Sequence, residues 1–194
     1  MGGAEGPKAT LVTYLQRAPD TLVWKLEGVS EYDARRPMTP TGTSLLGLVK
    51  HCAWVEASYF GETFGRPFPE SAPWDGDEEA DPHDDLYALP TESRQEILDL
   101  YQRVQAWAAE TIDSLDLGTE GHVKWWGDRN PVTLHWILVH CVAEVQHHAG
   151  HADILREMID GATGYLPEHS NHPDDGYDWP AYLARVQAAA DSFR

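Results

Sequence analysis

The sequence HCVAEVQHHAGH, residues 140–151, places four histidines and one glutamate in a run that otherwise has the pattern of a helix. Glu144 and His148 are four residues apart, and so are His147 and His151. Side chains with this spacing share one helical face and lie about 5–6 Å apart at Cβ. One straight helix can therefore offer two ligands to a single metal ion, as in other helical metal motifs. The run predicts a helical bundle that holds this face opposite one more histidine.

The length, composition and net charge of the chain favour a soluble, acidic, globular protein. The chain has 194 residues, 42% of them hydrophobic, and a formal net charge of -18. This length is enough for a single domain of residues 1–194 with a substantial core. We expect a cytoplasmic protein, because no apolar run reaches membrane-spanning length and no secretory leader opens the chain. The acidity argues against nucleic acid or an anionic membrane as a partner, since both require basic surface.

Apolar residues recur at helical spacing in four long stretches, and no alternating strand pattern is present. The pattern predicts an all-α fold, an antiparallel up-down four-helix bundle of about residues 9–162. A tail of residues 163–194 follows and carries a short C-terminal helix. The predicted helices cover about residues 9–26, 45–64, 91–112, 131–159 and 179–193, and residues 31–43 are predicted to be a loop.

Local signals set the expected helix ends. Pro19 lies inside the first helix and predicts a kink or an early break. Ser44 or Thr43 is expected to cap the second helix. The third is expected to open at Thr91, and Pro131 suits the first position of the fourth.

The segment from residue 66 to residue 90 is rich in acidic side chains and proline. It lacks the glycine and the terminal glutamate of a calcium-binding EF-hand loop. We therefore expect a solvated loop or a short helix rather than a calcium site. Its acidic residues are Glu70, Asp75, Asp77, Glu78, Glu79, Asp81, Asp84 and Asp85.

His51 lies beside the apolar stripe of the second predicted helix, and Glu144 and His148 occupy an inward face of the fourth. Buried polar groups need partners, because an unpaired one costs about 1–3 kcal/mol. These three side chains can satisfy one another through hydrogen bonds. They can also bind a metal, since two nitrogens and one oxygen with an open position form a catalytic pattern. The residue pattern leaves both interpretations open.

Only two cysteines occur, Cys52 and Cys141, so no disulfide framework is expected. Both lie on inward faces next to the histidine cluster, and we interpret them as free thiols that pack as small buried hydrophobes.

Four sequence segments together resemble the DinB-like superfamily of four-helix metalloproteins. The similarity is greatest to the actinobacterial branch of mycothiol-dependent maleylpyruvate isomerase and mycothiol S-transferases. The segments are PTGTSLLGLVKH (residues 40–51), LVKHCAWVEASYFGETFG (48–65), PVTLHWILVH (131–140) and AEVQHHAGHADILREMIDGATG (143–164). The sequence departs from relatives at His135, where they often carry arginine.

The resemblance implies His51, Glu144 and His148 as ligands of one divalent metal, because the branch uses an E-x-x-x-H pair on its fourth helix. The doubled histidine leaves His147 with His151 as an alternative pair. The remaining polar and aromatic candidates are expected to support the metal or contact the substrate. These candidates are His140, His147, His151, Trp126 and Arg129.

The resemblance also implies a reaction. Zinc is the leading metal, with nickel or iron as alternatives, and mycothiol or a similar thiol is the implied co-substrate. The metal would activate the thiol for attack on an electrophile, in transfer or isomerisation chemistry of the kind used in detoxification. Two alternatives remain: a metal-dependent hydrolase of a small substrate, and a non-catalytic metal-binding stress-response protein. Dimers are common in the superfamily, so a homodimer is one implied assembly.

Overall fold

The computed structural model describes residues 6–75, 79–81, 83–170, 172–173 and 176–194. It confirms the all-α fold. The helices are α1 (Pro7–Trp24), α2 (Glu31–Arg35), α3 (Leu45–Phe60), α4 (Arg94–Ser114), α5 (Leu134–Asp160) and α6 (Trp179–Asp191). Single 3-10 turns are present at Glu62–Phe64 and Gly127–Arg129, and strand β1 (Glu120–Gly121) pairs antiparallel with β2 (Val132–Thr133).

The four long helices α1, α3, α4 and α5 form the bundle. Helix α3 packs against both α4 and α5, and α1 packs against α5. The core consists of two apolar clusters that follow each other along the bundle. Glu56 on α3 and Glu144 on α5 fall between these clusters in the sequence of their helices. Glu144 therefore lies where the two clusters meet, whereas His51 and His148 lie among residues of the first cluster.

Two helices begin later than expected because of their caps. Helix α4 begins at Arg94 rather than Thr91, since Ser93 and Glu96 form a capping box in which each side chain accepts the other residue's backbone N–H. Helix α5 begins at Leu134 rather than Pro131, since the Thr133 hydroxyl accepts the N–H of Trp136. Val132 and Thr133 belong instead to strand β2.

Other boundaries also differ from the expectation. Helix α3 ends at Phe60, four residues early, because Gly61 leaves helical geometry and a 3-10 turn follows. Pro19 does not break α1, which continues to Trp24. The expected loop at residues 31–43 contains α2, which Ser30 caps by accepting the N–H of Asp33.

The C-terminal helix α6 is present as expected, and its residues are exposed. Within the residues that the structure describes, no helix has both the length and the apolarity needed to cross a membrane.

The acidic segment between α3 and α4 returns across α3 and is anchored to it. Lys50 is fully buried, and its Nζ donates to the carbonyls of Asp84 (3.2 Å) and Tyr87 (3.1 Å) and pairs with Glu92 at 2.9 Å. The segment is therefore a docked loop on its C-terminal side, where the sequence predicted a solvated one. Asp77 and Glu78 lie outside the described residues.

The close approach of this loop depends on Gly47 of α3. A Cβ added there would overlap the carbonyl oxygen of Leu86 and come within 2.8 Å of its carbonyl carbon. A glycine elsewhere in a helix usually costs about 1 kcal/mol relative to alanine. Here the missing side chain lets the loop pack directly on the helix.

We expect Gly47→Ala to lower the free energy of unfolding by about 1–3 kcal/mol, because the added methyl group overpacks the helix–loop contact. Gly150→Ala is the matched control, since a Cβ at Gly150 of α5 meets no atom within 4 Å. It should be neutral or stabilising. Urea unfolding followed by circular dichroism measures both, and equal stability of the two variants would contradict the role given to Gly47.

Candidate metal centre

Helices α3 and α5 bring His51, Glu144 and His148 together. One ligand atom from each lies within 4.8 Å of the others. Glu144 Oε1 is 3.2 Å from His148 Nε2 and 3.8 Å from His51 Nε2. The two imidazole rings meet edge to face, with centroids 4.7 Å apart. The three side chains that the sequence predicts as ligands therefore lie close together in the structure.

The arrangement follows from helical spacing on two packed helices. Glu144 and His148 are one turn apart on α5, and α3 presents His51 to that face. Their side chains are 33%, 13% and 16% exposed, respectively. The site is thus sheltered but open to small molecules.

Asp85, from the docked loop, fixes the orientation of His51. Its Oδ2 lies 2.5 Å from His51 Nδ1. Because the carboxylate is an acceptor, a neutral His51 carries its proton on Nδ1 and leaves the lone pair on Nε2. Metal-bound histidines commonly make such a second hydrogen bond to a carboxylate. The sequence indicated Asp85 only as one acid among several in the 66–90 segment, and nothing in its spacing marked it as a partner of His51.

His148 is kept neutral by its surroundings. Burial lowers its pKa, and the neighbouring charge of His51 lowers it further, although Glu144 opposes this shift. Its Nδ1 is buried and has no hydrogen-bond partner among the described residues. A neutral imidazole is the form that binds metal.

The donor set suits a divalent cation. With Asp85 holding the Nδ1 proton, the lone pair of His51 Nε2 faces the carboxylate oxygen of Glu144, so two acceptors point at each other. A cation between them removes this conflict, and His148 Nε2 can add a second nitrogen. Two imidazoles and one carboxylate match catalytic zinc sites that keep a position open.

Two cavities are lined by different members of this cluster. The first, of about 390 Å³, has an aromatic wall and is lined by His51, Trp54, Val55, Ser58, Tyr59, Trp74, Asp85, Trp125, His140 and Glu144. The second, of about 490 Å³, is mostly apolar and is lined by Thr41, Gly42, Thr43, Leu48, His83, Leu86, Tyr87, His148 and His151. The cluster can therefore contact two different molecules, one in each cavity.

The other candidate histidines lie around the cluster. His140 lines the first cavity, and burial lowers its pKa. His151 lines the second cavity. His147 is exposed, and its ring packs against that of His151 with centroids 4.3 Å apart. Of the two pairs left open by the sequence, Glu144 with His148 is the one that meets His51.

Trp126 and Arg129 are placed beside the site rather than in the walls of its cavities. Trp126 is 7% exposed and packs on Tyr59 and His140, and the Arg129 guanidinium lies over its ring at 4.7 Å. The neighbouring Trp125, 55% exposed, lines the first cavity instead.

Both cysteines are free and buried behind the cluster. Burial raises the pKa of Cys52 and Cys141 well above the ordinary thiol value, and the charges of Glu56 and Glu144 raise it further. They therefore remain protonated thiols and are poor metal ligands or nucleophiles.

The comparisons with known proteins bear on the fold and the family. A solved structure, the conserved protein of a locus from Enterococcus faecalis, superposes with a TM-score of 0.59 at 17% identity, covering 82% of this chain and 100% of that one. That likeness supports the fold. No curated protein matches the chain. The family model for mycothiol S-transferase matches residues 10–161. This match confirms the DinB-like resemblance, and the chain belongs to the mycothiol S-transferase family.

Proposed function

We propose that the protein is a metal-dependent S-transferase that joins a neutral low-molecular-weight thiol, mycothiol, to a small apolar electrophile. The observation that carries this proposal is the cluster of His51, Glu144 and His148 between two cavities of different chemistry. The family match supports the same reaction class.

His51, Glu144 and His148 would hold one divalent ion, with zinc the leading candidate; nickel and iron bind the same ligand types. The bound ion would favour the thiolate form of the co-substrate, which is the attacking nucleophile. His140 lines the same cavity as Glu144, and its lowered pKa keeps it neutral. Its free ring nitrogen is therefore able to accept the thiol proton.

The residues that line the two cavities favour a neutral thiol as the co-substrate. Among the described residues that line the two cavities there is no lysine or arginine. Glutathione carries carboxylates, which proteins usually bind with such cations. Mycothiol carries neither carboxylate nor ammonium, and its two rings are polyols. Trp54, Trp74 and Trp125 of the first cavity offer aromatic faces against which a sugar ring can pack.

The second cavity suits the electrophile. Leu48, Leu86 and Tyr87 make its surface largely apolar, and His148 lies at its end towards the cluster. A thiolate held in the first cavity would thus face a carbon centre held in the second. The side chains hold both reactants in one geometry, which is a major source of rate enhancement.

We expect the zinc-loaded protein to consume monochlorobimane when mycothiol is present. With glutathione the rate should be at least tenfold lower, because no described lysine or arginine lines either cavity to bind its carboxylates. Fluorescence of the thiol conjugate measures the rate. Protein stripped of metal with a chelator is the control and should be inactive until zinc is returned. Equal rates with both thiols would contradict the neutral-thiol assignment. Consumption without any thiol would favour hydrolysis.

A further inference from the structure

A second carboxyl group lies inside the bundle, apart from the metal centre. Glu56 of α3 is 2% exposed, and its Oε1 accepts a hydrogen bond of 2.8 Å from the hydroxyl of Tyr101 on α4. Its Oε2 makes no hydrogen bond to the described residues, and no described lysine, arginine or histidine pairs with it. Burial raises the pKa of Glu56 to about 7. Glu56 therefore exchanges between its carboxyl and carboxylate forms near neutral pH, and the charged form has no countercharge among the described residues.

Three buried titratable neighbours of Glu56, namely Tyr101, Cys52 and Cys141, are neutral. The pKa values of Tyr101, Cys52 and Cys141 are raised well above their ordinary ranges, first by burial and then by the charge of Glu56 among others. A buried carboxylate without a cation is costly, and such charges are normally paired. A cation from outside the chain would remove this cost.

A cleft between α1 and α4 gives access to Glu56. Its volume is about 460 Å³, within the range of small-molecule sites. Leu15, Ala109 and Ile112 contribute apolar wall, and the exposed Asp20 and Asp113 add two further carboxylates. No basic residue is among the described lining residues.

Two cations close to the cleft already have partners. Lys8 donates to the backbone carbonyl of Leu115 at 2.7 Å and approaches that of Asp113, a cleft residue, at 3.4 Å, and Arg17 lies over the ring of Tyr14 at 4.7 Å. Neither lines the cleft. The field of a chain with a net charge of -18 further favours positive ligands.

We propose that the α1–α4 cleft is a second ligand site that takes an organic ammonium ion with a short apolar body. The ammonium group binds Glu56 at the floor, and the apolar body lies against Leu15 and Ala109. Asp20 and Asp113 attract the cation at the mouth. The site is separate from the metal centre and does not depend on the reaction proposed there.

Calorimetric titration of the metal-loaded protein with n-hexylamine tests the proposal. We expect hexylammonium to bind, and hexanoate to show no measurable binding. Glu56→Gln should weaken hexylammonium binding at least tenfold, because it removes the charge but keeps the size and the acceptor for Tyr101. Glu110→Gln, on α4 and outside the cleft lining, is the matched control and should bind like the parent.

Ala109→Leu provides a second route that leaves Glu56 intact. The larger side chain occupies the space at Ala109 against which the apolar body lies and should also weaken hexylammonium binding at least tenfold, so the test stands even where Glu56→Gln fails to fold. Unchanged binding in both variants would overturn the proposal. Displacement of hexylammonium by mycothiol would likewise overturn it, since that result places the amine at the metal centre.

Discussion

Replacing His148 with alanine is expected to weaken zinc binding more than about a hundredfold, whereas replacing His147 should leave zinc binding near that of the parent. Even residues behind the ligands are worth about 10–100-fold in metal affinity, so loss of a ligand should cost more. His148 Nε2 lies 3.2 Å from Glu144 Oε1, whereas His147 is exposed and packs on His151. The two variants remove the same side chain from adjacent positions of one helix, and only the first belongs to the cluster.

Zinc content after dialysis against a weak chelator, measured by elemental analysis, distinguishes the two variants. The same measurement across pH tests the protonation state. Occupancy should fall as the solution becomes more acidic, because protons compete for the histidine nitrogens. The lowered pKa of His148 moves this loss to a lower pH than free imidazole would give. Loss of zinc from the His147 variant with retention in the His148 variant would assign the ligands to the other pair.

Asp85→Asn is expected to weaken zinc affinity about 10–100-fold while the protein stays folded. The amide keeps the size of the side chain but removes the charge that fixes the Nδ1 proton of His51 and raises the basicity of Nε2. Asp84→Asn is the matched control on the same loop. The Asp84 side chain accepts from the Tyr87 hydroxyl, and its backbone carbonyl, which Lys50 binds, is unchanged by the substitution.

Competition with a chromophoric chelator gives the two affinities directly. The Asp84 variant should match the parent within about twofold, because its carboxylate does not touch His51. Equal weakening of both variants would mean that general loss of negative charge, rather than the bond to His51, controls the affinity. An unaffected Asp85 variant would show that the orientation of His51 is fixed by packing alone.

The parts of the fold that depend on local signals are readable from the sequence. The apolar stripes predict four long helices, and the i, i+4 spacing of Glu144 and His148 predicts their shared face. The capping box of Ser93 and Glu96 was also readable, yet the third helix was expected to begin at Thr91. Short α2 was missed because five residues give too little periodicity to distinguish a helix from a loop.

The features that the sequence does not predict depend on contacts between residues that are distant in the chain. Asp85 reaches His51 across 34 positions, and its neighbours are acidic too, so its role appears only when the loop packs on α3. Gly47 is a similar case. The sequence does not show that the backbone of Leu86 packs on this position, and that contact is what leaves no room for a side chain. Trp125 and Trp126 are adjacent, and sequence does not indicate which of them enters the cavity.

The docked loop connects the conformation of a surface segment to the affinity of the candidate metal centre. Lys50 anchors the loop and Asp85 joins it to His51, so a metal ion held by His51 and the docked loop would each strengthen the binding of the other by the same factor. A change in sequence, a ligand or a modification that opens residues 84–87 would therefore lower metal affinity without touching a ligand. With His51 as a ligand, a change at the surface of this loop would alter the retention of the metal ion.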